Sequence, residues 1–397
     1  MSGSDAPAPG PGPLAGVVIV DLTTMLMGPY CTMLLGQLGA RVIKVEPPGG
    51  DILRDIDDRD RNHLGPIYLN INRGKESIKL DLRDPVDYEV FTRLVAKADV
   101  VAHNRPPGSE QRLKVDYESL AAINPRIIVC AMYGFAANGP YGKLRAYDDV
   151  VQAVSGIAAH QSLHGPPQYV RTTLADKITG VLAVGAITAA LYERERSGVG
   201  QLVEVTMLET MVHFLLAEQQ GGYLYDPPRG PAGYARTNSP HRHPMRTSDG
   251  LISLLPTTDA HWHAVFRVLG RPDLIDDPRF SSITGRTENI DELYEWMGSA
   301  IAQRPTAELL AQLQEAGVPA SHVNTIEDLF RDPHLTATGY FENVVHPEAG
   351  ALRQPGPSFR FSRTGQPFLG PAPALNHDGD RLRAEFGLDP DGPAPSE

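Results

Sequence analysis

Cysteine is scarce. The 397 residues hold two, Cys31 and Cys130, too few for a disulfide framework or a four-thiolate zinc site. Both lie in apolar surroundings, "GPYCTMLLG" and "IIVCAMYG", and read as buried reduced thiols. A secretory signal is also missing: "MSGSDAPAPGPGP" has no basic region and no apolar core. Its Pro, Gly and Ala predict a disordered leader over 1–13. No apolar run reaches the ~18 residues expected of a membrane span. Positive charge is in deficit, with 36 Lys and Arg against 48 Asp and Glu. That balance argues against nucleic acid or an anionic membrane as a partner. A soluble cytoplasmic protein is the expectation.

Several motifs are missing as well. The turn after the first apolar run, "DLTTMLMGPYC", has one glycine and a proline, so it is no dinucleotide-binding G-x-G-x-x-G turn. There is no P-loop and no G-x-S-x-G nucleophile elbow. The histidines of "HRHP" (241–244) and "HWH" (261–263) are spaced i, i+2, which does not put two side chains on one helix face. No carboxylate or cysteine completes either set, so no metal site is expected.

What remains is alternation. "GVVIVDLT", "RVIKVEPP", "ESIKLDL", "DVVAHN", "RIIVCAMYGF" and "LVEVTML" read as strands. Between them, "PYCTMLLGQLGA", "PVDYEVFTRLVAKA" and "DYESLAAINP" read as helices. Val86, Phe91, Leu94 and Val95 can share one face of the second. Such alternation predicts an α/β fold, a parallel sheet covered by helices. From about 221 the chain turns Gly/Pro-rich and irregular, as a connection or an active-site loop would be. Further helical patterns follow in "DAHWHAVFRVLG", "TENIDELYEWMGSAIAQR" and "PTAELLAQLQEAG". The predicted organisation is a large domain of 14–220 and 326–397 and a linker plus smaller α+β domain over 221–325.

Asp176, in "YVRTTLADKITG", opens a helix apolar nearly all round, which predicts burial on most sides. Gly180 and Gly185 would let a neighbouring backbone come close. Local preference reads Asp176 as an N-cap. A carboxylate at a helix N-terminus is equally a candidate nucleophile, since the amides around it can stabilise an oxyanion on its substrate. The bulky Met25, Leu26 and Met27 read either as core or as a ligand-contacting loop at a strand's carboxyl end. Arg83, Arg105, Arg112 and Arg145 follow strands, where arginines serve phosphates or simply face solvent.

Taken together, "LAGVVIVDLTTMLMGPYCTMLLGQLGARVIKVEPPGGD", "NRGKESIKLDL", "ADVVAHNRPPG", "NPRIIVCAMYGF", "YDDVVQAVSG", "LADKITGVLAVGAITAAL" and "AGVPASHVNT" resemble the class III CoA-transferases. That group includes formyl-CoA transferase and carnitine CoA-transferase, and its superfamily includes the α-methylacyl-CoA racemase. The resemblance implies a large Rossmann-like domain, a smaller domain and an interlocked homodimer with its active site between subunits. It implies that Asp176 attacks an acyl-CoA thioester, giving an aspartyl anhydride and then an aspartyl-CoA thioester. It assigns CoA contacts to Met25, Leu26, Met27, Leu80, Arg83, Asn104, Arg105, Arg112, Leu113, Arg145, Tyr147 and Asp148. CoA thioester and a carboxylic acid are then substrates, with no metal and no tightly bound cofactor.

This chain has Leu26 where formyl-CoA transferase has a glutamine, and Pro47 where it has an arginine. The first change removes a polar group near the reacting carbonyl and points to an acyl group larger or less polar than formyl or oxalyl. "TNSPHRHPMRTSDG" stands where the family's glycine-rich flap would be, so His241, His243 and Arg246 become candidates to meet an acceptor carboxylate. Tyr147 stands where the racemase has a histidine, and a phenol of pKa about 10 is a poor base at neutral pH. Transferase is therefore preferred over racemase and over a catalytically silent CoA-binding protein.

Overall fold

The computed structural model describes residues 10–387. It divides into two compact units. The larger comprises the described chain up to Gln161, Pro167–Phe214 and the chain from Gly339 onward; the smaller comprises Ser162–Pro166 and Leu215–Thr338.

Six strands form the sheet of the larger unit: β1 (Val18–Asp21), β2 (Arg41–Glu46), β3 (Glu76–Lys79), β4 (Val100–His103), β5 (Ile128–Tyr133) and β6 (Leu202–Thr206). Their order is β3-β2-β1-β4-β5-β6, and every pair is parallel. This is the doubly wound order, whose direction reverses between β1 and β4. β4 and β5 are buried at every position, as strands covered on both faces must be. One helix that covers the sheet, Pro85–Lys97, starts where Asp84 accepts the amides of Val86 and Asp87 and Pro85 presets the first turn. Its buried face is Val90, Phe91, Leu94 and Val95. Val86, expected on that face, lies in the capped first turn and is exposed.

The chain's return completes this unit. β10 (Phe341–His346) and β11 (Gly350–Pro355) form an antiparallel hairpin. Beyond it, the Pro373 carbonyl accepts from the buried Arg54 guanidinium at 3.3 Å and from the Tyr68 hydroxyl at 3.1 Å. Asp378 accepts the Ser77 amide at 2.9 Å. Residues 10–12 of the expected leader are held to the rest of the unit: the amides of Gly10 and Gly12 donate to the carbonyls of Gln366 and Thr364. Residues 1–9 of that leader and residues 388–397 lie outside the described residues.

In the smaller unit β7 (Met245–Arg246), β8 (Leu251–Leu254) and β9 (Ala320–His322) pair antiparallel. Trp262, Phe266, Leu293, Met297 and Leu309 pack at its core. This unit runs on to Thr338, beyond the expected boundary at 325, since the short helices Ile326–Leu329 and Pro333–Ala337 follow β9 within it.

The helix that carries Asp176 spans Leu174–Ser197 and ends on Gly198, which takes the left-handed conformation. It is long and apolar enough to cross a membrane by length and composition, although no run that apolar was expected. It nevertheless buries one face, including Ala175, Ala183, Ile187 and Leu191. Gly180 fits against helix Met27–Gln37: a Cβ there would meet the Met27 carbonyl oxygen at 2.7 Å. Gly185 has nothing within 4 Å of its would-be Cβ. The expectation of burial on most sides fails, since Val181, Leu182 and Tyr192 are exposed.

Candidate active site

The carboxyl ends of β1 and β4 flank the crevice where such sheets bind ligands. Two loops meet there. Asn104, just after β4, accepts the Thr24 amide at 3.0 Å and donates to the Thr24 carbonyl at 2.7 Å. The side chain thus mimics a backbone partner and locks the β4 loop to the β1 loop. In that β1 loop Met25 has φ 64°, a region uncommon for a residue with a Cβ. Its amide reaches Asp51 at 3.4 Å. Buried charges lie beneath. Lys44 bonds Asp51 at 3.0 Å and the Thr23 carbonyl at 2.9 Å, and Lys75 bonds Asp21 at 2.9 Å. The two lysines hold the Asp21 carboxyl well below the usual carboxylate range against the opposing effect of burial, which is the largest single influence. Sequence reasoning missed this network; its only local trace is a lysine inside the apolar run "RVIKVE".

A cleft of about 270 Å³ opens at these strand ends, lined among others by Leu22, Pro47, Leu80, Arg83, Arg105 and Leu113. Four of the residues expected to meet CoA therefore share one wall. Arg105 differs from the rest. Burial pushes its guanidinium below the usual value, its Nε is buried without a hydrogen-bond partner, and among the described residues no carboxylate pairs with it. A cation stripped of water and given no counter-charge attracts an anion strongly. Arg83, in contrast, is exposed and held by Asp81 at 2.8 Å.

The other expected contacts are dispersed. Met27 is buried as core at the start of its helix. Leu26 packs against a cluster containing Leu53, Leu64 and Tyr68. Arg112, Arg145 and Tyr147 are exposed. His241, His243 and Arg246 belong to the smaller unit, where His243 and Arg246 are exposed. Among the described residues no group of three His, Cys, Asp or Glu side chains could hold a metal.

Asp176 is not an N-cap. Thr173 occupies that position and makes no side-chain cap, while Asp176 is the third residue of the helix. Its amide donates across 28 residues of sequence to Asp148 Oδ1 at 3.1 Å. Asp148 is buried at the start of helix Asp148–Val154, and its other oxygen accepts from Gln152 Nε2 at 2.5 Å. No group among the described residues donates a hydrogen bond to the Asp176 carboxylate. Burial first, then the negative charge of Asp148, push its pKa up to about 7; Lys177 offsets part of this. The helix N-terminus favours the ionised form, but the desolvation outweighs it. The result is a half-buried carboxylate, unencumbered by amides and about half ionised at neutral pH, which suits a nucleophile.

The fold is of the doubly wound ligand-binding class, and comparison with known proteins gives the particular family. The chain belongs to CoA-transferase family III, whose sequence profile matches residues 14–379. It is 36% identical to the acetyl-CoA:oxalate CoA-transferase of Acetobacter aceti, over 96% of this chain and 97% of that one. It is 32% identical to the succinyl-CoA:glutarate CoA-transferase of Mus musculus, over 91% of this chain and 84% of that one. Among solved structures, a CAIB/BAIF family protein from Brucella suis matches with a TM-score of 0.78 at 32% identity, covering 94% of this chain and 99% of that one. The protein is accordingly an enzyme of CoA transfer, as the sequence resemblance implied.

Proposed function

We propose that the protein moves CoA from an acyl-CoA to a free carboxylic acid by covalent catalysis on Asp176. The ionised carboxylate attacks the thioester carbonyl, and the C–S bond breaks to give a mixed anhydride and CoA thiolate. The thiolate then attacks the aspartyl carbonyl, releasing the donor acid and leaving an aspartyl-CoA thioester. An acceptor carboxylate attacks that thioester to form a new anhydride, and the thiolate, attacking the acceptor's acyl carbon, releases the new acyl-CoA and regenerates Asp176. One thioester is exchanged for another, so neither ATP nor a metal enters the balance. The observation that carries this reading is the Asp176 carboxylate: half-buried, free of amide donors, with a pKa of about 7.

The unpaired Arg105 in its cleft supports a CoA phosphate site there, with Leu80, Arg83 and Leu113 beside it. Met25, Leu26, Met27, Asn104, Arg112, Arg145, Tyr147 and Asp148 remain assigned to the CoA side of the site, Asn104 and Asp148 acting by holding the loops. Relatives named for oxalate and glutarate favour dicarboxylic acids among the acyl groups exchanged. The active form in this reading is a homodimer. Leu182, Gly185, Ala189 and Tyr192 form an exposed stripe on the Asp176 helix, spaced as a helix–helix seam is. Two buried free thiols fit a reducing cytoplasmic setting.

The test is trapping. Hydroxylamine added with a productive acyl-CoA should inactivate the enzyme and leave a hydroxamate on Asp176, located by peptide mass spectrometry. Without acyl-CoA there should be no reaction. A hydroxamate on any other residue, or full activity in Asp176→Ala, overturns the proposal.

A further inference from the structure

Gln152 is fully buried, and every hydrogen bond of its side chain goes to the surroundings of Asp176. It lies four residues after Asp148 on the same helix, so the two side chains share a face. Its Nε2 donates to Asp148 Oδ2 at 2.5 Å and lies 3.4 Å from the carbonyls of Val170 and Thr172. Its Oε1 accepts the Val170 amide at 2.8 Å. These partners fix the amide's orientation, because the flipped form would set oxygen against carboxylate and NH₂ against N–H.

The bonded segment, 170–172, leads directly into the helix that carries Asp176. It is a tight turn closed by the Thr172 amide on the Val170 carbonyl at 2.7 Å. Thr173 offers no side-chain cap; locally the Lys177 ammonium donates to the Thr172 hydroxyl. The buried support comes from Asp148 and Gln152. One Asp148 oxygen takes the Asp176 amide while the other takes Gln152.

We infer that Gln152 is a positioning residue: its amide ties Asp148 to the 170–172 turn and thereby fixes the first helical turn that presents the Asp176 carboxylate. The inference rests on Asp176 being the nucleophile. Gln152 touches no reacting atom; it acts through Asp148 and the backbone. Displacement of a reacting group by about 1 Å costs on the order of 10²-fold in rate, and that is the scale expected here.

Two replacements separate positioning from space-filling. Gln152→Met keeps the volume and removes all the hydrogen bonds. Gln152→Glu keeps the shape and removes the donor to Asp148. Each variant, once its circular dichroism and CoA affinity match wild type, is assayed with acetyl-CoA and succinyl-CoA as donors and oxalate and glutarate as acceptors. In both variants kcat should fall by about 10²-fold, with the donor KM within about twofold. Hydroxylamine trapping on Asp176 should slow by the same factor. Wild-type kcat and trapping rate in Gln152→Met would overturn the inference, since packing alone would then suffice. Should Gln152→Met fail to fold, Gln152→Glu decides alone, and wild-type kcat there overturns it equally. A wild-type enzyme that exchanges CoA but forms no adduct on Asp176 would refute the nucleophile reading instead, and with it any role for Gln152 in presenting that group.

Discussion

Asp176→Asn should stabilise the protein while destroying its activity, and the gain should depend on pH. The folded state holds the carboxyl at about 7 against an ordinary value of 3.8, so the fold disfavours the ionised form. For a raised carboxyl pKa, the fold is unpenalised below pH 3.8, where the group is protonated in both states. The penalty then grows with pH up to about 7 and is constant above. A gap of about 3 units corresponds to about 4 kcal/mol, which solvent screening of this half-buried side chain reduces to about 2–4 kcal/mol. Asparagine has the same shape and no charge, so it escapes the penalty. Urea unfolding of both proteins without ligand, at several pH values from about 5 to about 9, should give curves that diverge as pH rises to about 7 and run parallel beyond it. Over the same range the variant's exchange activity should be lower by about 10⁴-fold, the scale seen when a nucleophile is removed. A stability difference independent of pH, or one that narrows as pH rises, would refute the account of Asp176 as a desolvated carboxylate beside Asp148.

Arg105→Met should raise the KM for acyl-CoA by about 10-fold or more and leave the acceptor KM unchanged, as loss of a charge-assisted phosphate contact requires; steady-state kinetics with each substrate varied checks it. Lys44→Met strands the buried Asp51 and should cost about 3–5 kcal/mol, whereas the Lys44→Met, Asp51→Leu double replacement should recover part of that, both read by urea unfolding. If the proposed homodimer uses this stripe, wild type should sediment as a dimer and a Leu182→Glu, Tyr192→Glu variant as a monomer, because charge on the exposed stripe opposes its burial.

The six strands of the large sheet were legible because continuous apolar runs between Gly and Pro signals have few alternatives. The helix over 85–97 was legible for the same reason, with an error at Val86, which the capped first turn leaves in solvent. The helix over 174–197 misled in two ways. Its apolar character is all round, but one chain covers only part of it, and sequence does not say which side a second molecule would take. Its cap was read three residues late, since Asp176 looks like a cap when its neighbours are considered alone. What displaces that reading is Asp148, 28 positions away, and no local pattern encodes that contact. Gln152 hid in plain sight within "VVQAVSG" for the same reason. Gly180 met its expectation because the Met27 carbonyl does approach it, while Gly185 did not, since nothing lies within 4 Å of its would-be Cβ. Arg105 was one of four equivalent arginines in sequence; burial distinguishes it.

The return of the chain to Pro373 and Asp378 bears on how this protein is made. Arg54, buried beside the strand ends, has its guanidinium satisfied partly by a carbonyl more than 300 positions downstream. Until that stretch leaves the ribosome, the first half of the sheet carries a polar group it cannot bury at full advantage. The cleft, though lined wholly by residues before 114, therefore reaches its finished form only after residues 373–378 have been made. A chain cut short after the smaller unit would contain Asp176, Arg105 and the whole parallel sheet, and still lack the segment that closes the sheet's edge.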